Sequence, residues 1–433
     1  MSNERTRELL DFIDNSPTAF HAVASLEKKL IENGFTSLDE SSIEPLVAGG
    51  KYYLTRNQSS LLAFVLPQTK PTGFMICASH SDSPSFKIKP NAELETFGQY
   101  IRLNTERYGG MILPSWFDRP LSLAGRIAVE TEDGIEMQLV NLDKDLLVIP
   151  NVAIHMSNTN NGYNYNARTD MMPLMADISS DTKVVNLVAK EYGISADSII
   201  GHDLFLYCRQ KGIVAGADDS FFLAPRIDNL ECAWTSFAGF LEATPSDAIP
   251  MFAMFDNEET GSQTKQGAAS DFLTLTIDRI LASLSLTEQK AALLAGSFML
   301  SADNAHAMHP NHPEFADGKN TPHMNKGIVI KHNAAQRYTT DGVSSALFKK
   351  ICQKAGVPTQ VFANRSDMAG GSTLGSIATT KVSIKTVDIG LAQLAMHSAC
   401  ETAGTLDVDH MINACRVFFS TALKVTNNHI SLI

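Results

Sequence analysis

Long hydrophobic runs are missing from this chain of 433 residues. No apolar stretch reaches the length that spans a bilayer, and Met1-Ser2-Asn3-Glu4-Arg5 has no signal-peptide pattern. Basic charge is also short. Lys and Arg number 35 against 47 Asp and Glu, a net charge of −12, which makes nucleic acid and anionic membranes poor partners. The six cysteines, Cys77, Cys208, Cys232, Cys352, Cys400 and Cys415, form no C-x-x-C pair. Several lie in apolar stretches, so reduced thiols in a cytoplasmic protein are expected rather than disulfides. The G-x-S-x-G elbow of serine hydrolases is absent, because Leu374 stands where its second glycine would be in Gly370-Gly371-Ser372-Thr373-Leu374. The same stretch, from Ala369 to Gly375, lacks the Lys-Ser/Thr ending of a phosphate loop and does not fit G-x-G-x-x-G. It reads as a turn that opens a helix. There is no internal repeat and no low-complexity segment.

What is present is ample material for a core, with 44% hydrophobic residues. Two helices are expected at the start. Ser16-Pro17 reads as an N-cap followed by proline at the first helical position, Val23, Leu26 and Leu30 follow at helical spacing, and Gly34 ends the helix. Strands are expected around Tyr52-Leu54, Leu61-Leu66 and Gly73-Ser79. From about Asn91 to Pro225 the apolar segments shorten and turn signals crowd in, as at Gly109-Gly110 and Glu132-Asp133-Gly134. This reads as a mainly β insertion, with a mobile loop over the polar run 157–170. The α/β pattern resumes at Arg226, with a helix expected just after Asp228 and another around Met411–Ala422. The chain therefore divides into a first catalytic part (1–90), an inserted unit (91–225) and a second catalytic part (226–433). The fold class is α/β, with a sheet covered on both faces by helices.

Six residues carry the chemistry: His80, Asp228, Glu258, Glu259, Asp303 and His397. Most follow a buried-type strand. His80 follows Phe74-Met75-Ile76-Cys77, Glu258-Glu259 follows Met251-Phe252-Ala253-Met254-Phe255, and Asp303 follows Phe298-Met299-Leu300. In parallel sheets, sites form at the carboxyl ends of strands. Two imidazoles and several carboxylates at that edge suit a pair of divalent ions, zinc first among them. Asp228 could bridge the ions, with His80 and Asp303 completing one and Glu259 and His397 the other. Glu258 is then free to act as general base. Asp82, two residues after His80, could accept the second ring N–H of that histidine. Singly, each motif has a plainer reading: a Glu-Glu pair on a solvated helix face, Asp303 as a helix cap, His397 as a partly buried histidine.

Together with Pro114-Ser115-Trp116-Phe117-Asp118-Arg119, Arg226-Ile227-Asp228-Asn229, Ser301-Ala302-Asp303-Asn304-Ala305-His306, Gln336-Arg337-Tyr338 and Met396-His397-Ser398, these residues resemble the aspartyl aminopeptidase (M18) family over nearly the whole chain. The resemblance implies a dinuclear zinc exopeptidase acting on peptides with a free N-terminus, in an α/β/α sandwich with an inserted β-rich dimerisation domain. It implies two zinc ions per chain, Asp228 bridging, Glu258 as base, Asp82 behind His80, and a cis peptide after Asp228. It implies that His306, Lys331 and Tyr338 line a pocket for an acidic side chain, where charge pairing and hydrogen bonding would select Asp or Glu. The sequence departs from the family's run at Tyr338-Thr339-Thr340-Asp341. Asp341 is expected to add negative charge near that pocket and to weaken a strict acidic preference. The resemblance further implies a tetrahedral dodecamer built from dimers, with His155 reaching into the neighbour's active site.

Overall fold

The computed structural model describes residues 3–156, 163–180, 182–368 and 370–433. Ala369 and residues 157–162 of the expected loop lie outside the described residues, and 163–170 contain no helix or strand. The main sheet has nine strands, in the order Thr36–Ser37, Lys51–Arg56, Ser60–Val65, Ile249–Phe255, Phe74–His80, Phe298–Ala302, Lys385–Gly390, Ile328–His332 and Thr359–Ala363. From Ile249–Phe255 to Lys385–Gly390 the four central strands run parallel. Every residue of the first three of these is buried, as expected where helices cover both faces.

The two-residue period of a strand divides the core. Met75 and Cys77 pack with residues of the helices Glu4–Asp14, Ala19–Glu32, Ile227–Leu241 and Thr405–Phe419. Phe74, Ile76 and Ala78 point the other way, toward Phe272–Ser283 and Leu374–Lys381. On the first face Phe252 meets the rings of Phe237 and Phe240, at centroid distances of 5.3 and 6.4 Å. Truncating such a buried phenylalanine costs about 3–5 kcal/mol. Gly239 lets the helix Ile227–Leu241 lie close against Thr405–Phe419. A Cβ there would stand 2.6 Å from Cys415 Cβ and 2.8 Å from the Ile412 carbonyl oxygen.

A second sheet has six strands, in the order Gly134–Asn141, Leu121–Thr131, Ile199–Cys208, Ser85–Thr96, Tyr100–Tyr108 and Leu174–Asp177. Its strand Ser85–Thr96 runs through Pro90, with a register shift between Ile88 and Glu93 in its pairing with Tyr100–Tyr108. A third sheet joins Ile213–Ala215 and Phe221–Ala224 to Glu401–Gly404, Ala392–Leu394 and Ala305–His306. Residues 213–224 thus pair with the C-terminal region.

Most expected elements appear within a few residues. The early strands are Lys51–Arg56, Ser60–Val65 and Phe74–His80, and the glycine-rich turn does open the helix Leu374–Lys381. The second helix starts later than expected. Its N-cap is Thr18 and it runs Ala19–Glu32, while Ser16 and Pro17 lie before it. Thr18 Oγ1 meets His21 Nδ1 at 2.9 Å, so its hydroxyl serves the first turn through a side chain. All six cysteines are free. Among the described residues no helix is long and apolar enough to cross a membrane.

Candidate metal centre

Parallel strands deliver their following residues to one edge of the sheet. His80 closes Phe74–His80, Glu258 and Glu259 sit in the short 3-10 turn Glu258–Thr260 after Ile249–Phe255, and Asp303 follows Phe298–Ala302. Asp228 comes in at the start of the helix Ile227–Leu241, where Asp228 and Asn229 are not helical and the peptide between them is cis. His397 sits in a tight turn at φ +67°.

These six side chains converge. Ligand atoms of His80, Asp228 and Asp303 lie within 4.8 Å of one another, as do those of Asp228, Glu259 and His397. Asp228 belongs to both groups, and its two oxygens face different imidazoles. Oδ1 is 3.5 Å from His80 Nε2, and Oδ2 is 3.2 Å from His397 Nε2. His397 Nε2 is also 3.3 Å from Glu259 Oε1. A third group, His80, Glu258 and Glu259, meets the same spacing.

The donor set fits a divalent cation. Asp228 Oδ1 and Glu259 Oε1 are buried oxygens without a hydrogen-bond donor, a costly state for a carboxylate unless a cation completes it. Burial opposes a charge on the two imidazoles, yet the surrounding carboxylates hold both rings protonated. The nearby carboxylates of Asp228 and Asp82 raise the pKa of His80 well above its usual value, and those of Asp228 and Glu259 lift His397 to about 11. The centre draws in positive charge, and a metal ion would displace those protons. Burial pushes the Glu258 carboxyl up to about 9 and the Glu259 carboxyl up to about 7.

Asp82 sits differently from expectation. His80 Nδ1 is nearest the backbone carbonyl of Asp82, at 3.0 Å, with the carboxylate at 3.4 Å. The carboxylate mainly receives other donors: the N–H of Glu258 at 3.1 Å, the N–H of Glu259 at 3.1 Å and the Tyr108 hydroxyl at 2.6 Å. It therefore orients the Glu258-Glu259 turn as much as the His80 ring. Gly109, at φ +77°, lets the neighbouring chain approach that turn. A Cβ there would be 3.0 Å from Glu259 Cβ.

A cavity of about 200 Å³ opens on the cluster. His306, Lys331 and Tyr338 line it beside His80, Asp303 and His397, with Phe362 and Gly371-Ser372-Thr373 closing other sides. Lys331 is buried. Its Nζ donates to the Asn304 carbonyl at 3.0 Å, stands 3.5 Å from Asp303 Oδ1 and lies 5.3 Å from the centre of the Tyr338 ring. Asp341 does not join this cavity. It is exposed and caps the helix Gly342–Ala355, accepting the Ser344 N–H at 2.7 Å while Ser344 Oγ accepts the Asp341 N–H at 3.0 Å. Its charge is spent at a helix N-terminus. The carboxylate near the pocket is instead the fully buried Asp388, which receives Thr339 N–H and Oγ1 and Thr373 Oγ1 and so ties two cavity-lining segments together. His155 is not brought to the site of its own chain. It is exposed in the short turn Ile154–Met156.

Sequence reasoning missed Tyr108, Asp388 and Glu401. Glu401 is buried and accepts the backbone N–H groups of both His397 and Asp228. Each is a lone polar residue in an ordinary stretch, and only folding reveals its partners.

Comparison with known proteins identifies the family. The family model described as aminopeptidase I zinc metalloprotease (M18) matches residues 12–419. A probable M18 family aminopeptidase 2 of Clostridium acetobutylicum is 43% identical over 427 residues, which cover 96% of this chain and 99% of the relative. Among solved structures, a chain of the Ape4 and Nbr1 complex superposes with a TM-score of 0.93 at 34% identity, covering 97% of this chain and 86% of that one. The mApe1 dodecamer of S. cerevisiae gives a TM-score of 0.84 at 27% identity, covering 96% of each chain. This chain belongs to the M18 family of zinc metalloprotease aminopeptidases.

Proposed function

We propose that this aminopeptidase removes the N-terminal residue of peptides at a dinuclear zinc centre and prefers acidic residues. The observation that carries the reading is the sharing of Asp228 between two ligand groups, with one carboxylate oxygen facing each histidine. Asp228 would be shared between two ions, with His80 and Asp303 as the further residues that would hold one and Glu259 and His397 those that would hold the other. Bound zinc would polarise the scissile carbonyl and acidify a water. Glu258, left over beside the ligands, would serve as general base toward the attacking water and as proton donor to the departing amine. Its pKa must fall from about 9 for this role, and nearby divalent cations are the groups that would lower it. Glu259 helps to hold the free α-amino group. Asp82 keeps both glutamates in place through their N–H groups.

The cavity beside the ions receives the substrate side chain. Lys331, His306 and Tyr338 supply positive charge and hydrogen bonds to a carboxylate in a partly desolvated setting. Removing Asp341 from the pocket removes one objection to acidic preference. The pairing of Lys331 with Asp303 favours a milder version of that preference, since part of the lysine's charge is already answered within the chain.

Residues 91–225 are proposed as an inserted dimerisation unit between the two catalytic parts, with the cytoplasm as the working compartment. The dodecameric mApe1 relative supports a homo-oligomer, and a tetrahedral dodecamer built from dimers is proposed for this chain. In it, His155 would serve the neighbouring subunit. The test is hydrolysis of unblocked aminoacyl-chromophores carrying Asp, Glu, Leu or Ala, with and without a chelator. Chelator-sensitive cleavage, fastest for Asp and Glu, is expected. Equal rates on all four would end the acidic preference, and insensitivity to chelator would end the metal mechanism.

A further inference from the structure

Two segments that carry proposed ligands meet on one buried side chain. Glu401 opens the strand Glu401–Gly404 of the five-stranded sheet and is 2% exposed. Its Oε1 accepts the backbone N–H of His397 at 2.7 Å and the Gln393 side-chain amide at 3.2 Å. Its Oε2 accepts the backbone N–H of Asp228 at 3.0 Å. Asp228 and His397 are 169 positions apart in the sequence, yet one carboxylate fixes the amide of each.

The need for such a grip is local. His397 and Ala395 both hold positive φ, at 67° and 57°, a conformation that non-glycine residues keep only where the surroundings enforce it. The turn has a bond from Ser398 N–H to the Ala395 carbonyl at 2.9 Å, and the His397 carbonyl accepts from Ile112 N–H at 3.0 Å. The His397 amide itself is held by Glu401. Asp228 lies in the first turn of its helix, where backbone N–H groups have no intrahelical acceptor, and its N–H is taken by the same carboxylate.

We propose that Glu401 is a positioning residue, a carboxylate clamp that sets Asp228 and His397 at the spacing required to hold one ion between them and Glu259. The proposal rests on the reading of Asp228 and His397 as ligands. Glu401 touches neither substrate nor reacting atoms. It parallels Asp82, whose carboxylate receives the N–H groups of Glu258 and Glu259. One carboxylate would thus align the base and one ligand, and the other the shared and terminal ligands of the second ion.

The test compares wild type, Glu401→Gln and Glu401→Asp in the full-length chain. Glutamine keeps the shape but replaces one acceptor oxygen with an NH₂ group facing an N–H. Bound zinc is measured against a graded metal buffer, together with the melting temperature of the metal-free protein and kcat over a zinc titration. For Glu401→Gln the expected result is the ion between His397 and Glu259 weakened by about 10–100-fold, the scale for lost outer partners of metal ligands, and the other ion, which shares only Asp228 with the clamp, weakened less. The metal-free melting temperature should stay near wild type, and kcat should recover at saturating zinc. Glu401→Asp should fall between the two. Wild-type affinity for both ions in Glu401→Gln would overturn the clamp. So would equal weakening of both ions with a lowered metal-free melting temperature, or insolubility of both variants, since either result describes a folding residue. His397→Ala separates the premises. If that variant binds two ions at wild-type affinity, the ligand reading has failed rather than the clamp.

Discussion

Glu258 and Glu259 are neighbours in a single 3-10 turn, and the proposed chemistry assigns them different work. Glu259 has a buried oxygen without a donor and a histidine at 3.3 Å, the situation of a ligand. Glu258 also falls within ligand spacing of His80 and Glu259, so its freedom to act as base is open to a direct check. In Glu258→Gln, kcat should fall by about 10²–10⁴-fold, the scale for losing a positioned base, while two zinc ions stay bound. Kinetics with metal analysis decides the matter. Loss of one ion would make Glu258 a ligand, and near-normal turnover would remove it from the reaction.

Elements explain why two acidic or basic residues close in sequence to the pocket differ in effect. Lys331 lies on the buried strand Ile328–His332 and lines the cavity, whereas Asp341 begins the helix Gly342–Ala355 at the surface. Lys331→Ala should lower the ratio of kcat/KM between N-terminal Asp and Leu. Asp341→Ala should leave that ratio unchanged and cost about 1 kcal/mol of stability, the usual loss for an N-cap. Denaturation and substrate panels on the two variants measure both effects. A changed ratio in Asp341→Ala would return that carboxylate to the pocket. The same contrast marks what was legible in the sequence. Strand ends such as His80, Glu258 and Asp303 stood out because an all-buried run gives way abruptly to polar residues. Asp341 is close to Tyr338 in sequence, but the chain turns there into the helix Gly342–Ala355 and carries the carboxylate away from the cavity. Glu401 and Asp388 gave no sign, since their partners come from distant segments or from backbone N–H groups that no residue pattern encodes. The helix start slipped from Ser16 to Thr18 because several residues there can cap. The change of texture near residue 90 falls inside one strand, Ser85–Thr96, at the register shift between Ile88 and Glu93 in its pairing with Tyr100–Tyr108.

At the scale of the whole molecule, the proposed metal ligands gather at the sheet edge while His155 lies exposed and apart from them. In the proposed oligomer this separation has a purpose, because His155 would stabilise the developing oxyanion in a neighbour's site. His155→Phe should then lower kcat by about 10²-fold or more, the scale for one transition-state donor. Mixing inactive His155→Phe and Glu258→Gln chains, dissociating and reassembling them, should restore part of the activity. Verified mixed oligomers without recovery would place His155 outside the neighbour's catalysis. The most direct measurement concerns the centre itself: metal-free protein titrated with zinc, with bound metal and hydrolysis of an unblocked Asp-chromophore followed together, and an N-acylated analogue run beside it. The dinuclear aminopeptidase reading predicts activity that rises to a plateau only as the second ion per chain binds, with the acylated analogue left intact. Full activity at one ion per chain, or equal turnover of the acylated analogue, would contradict it.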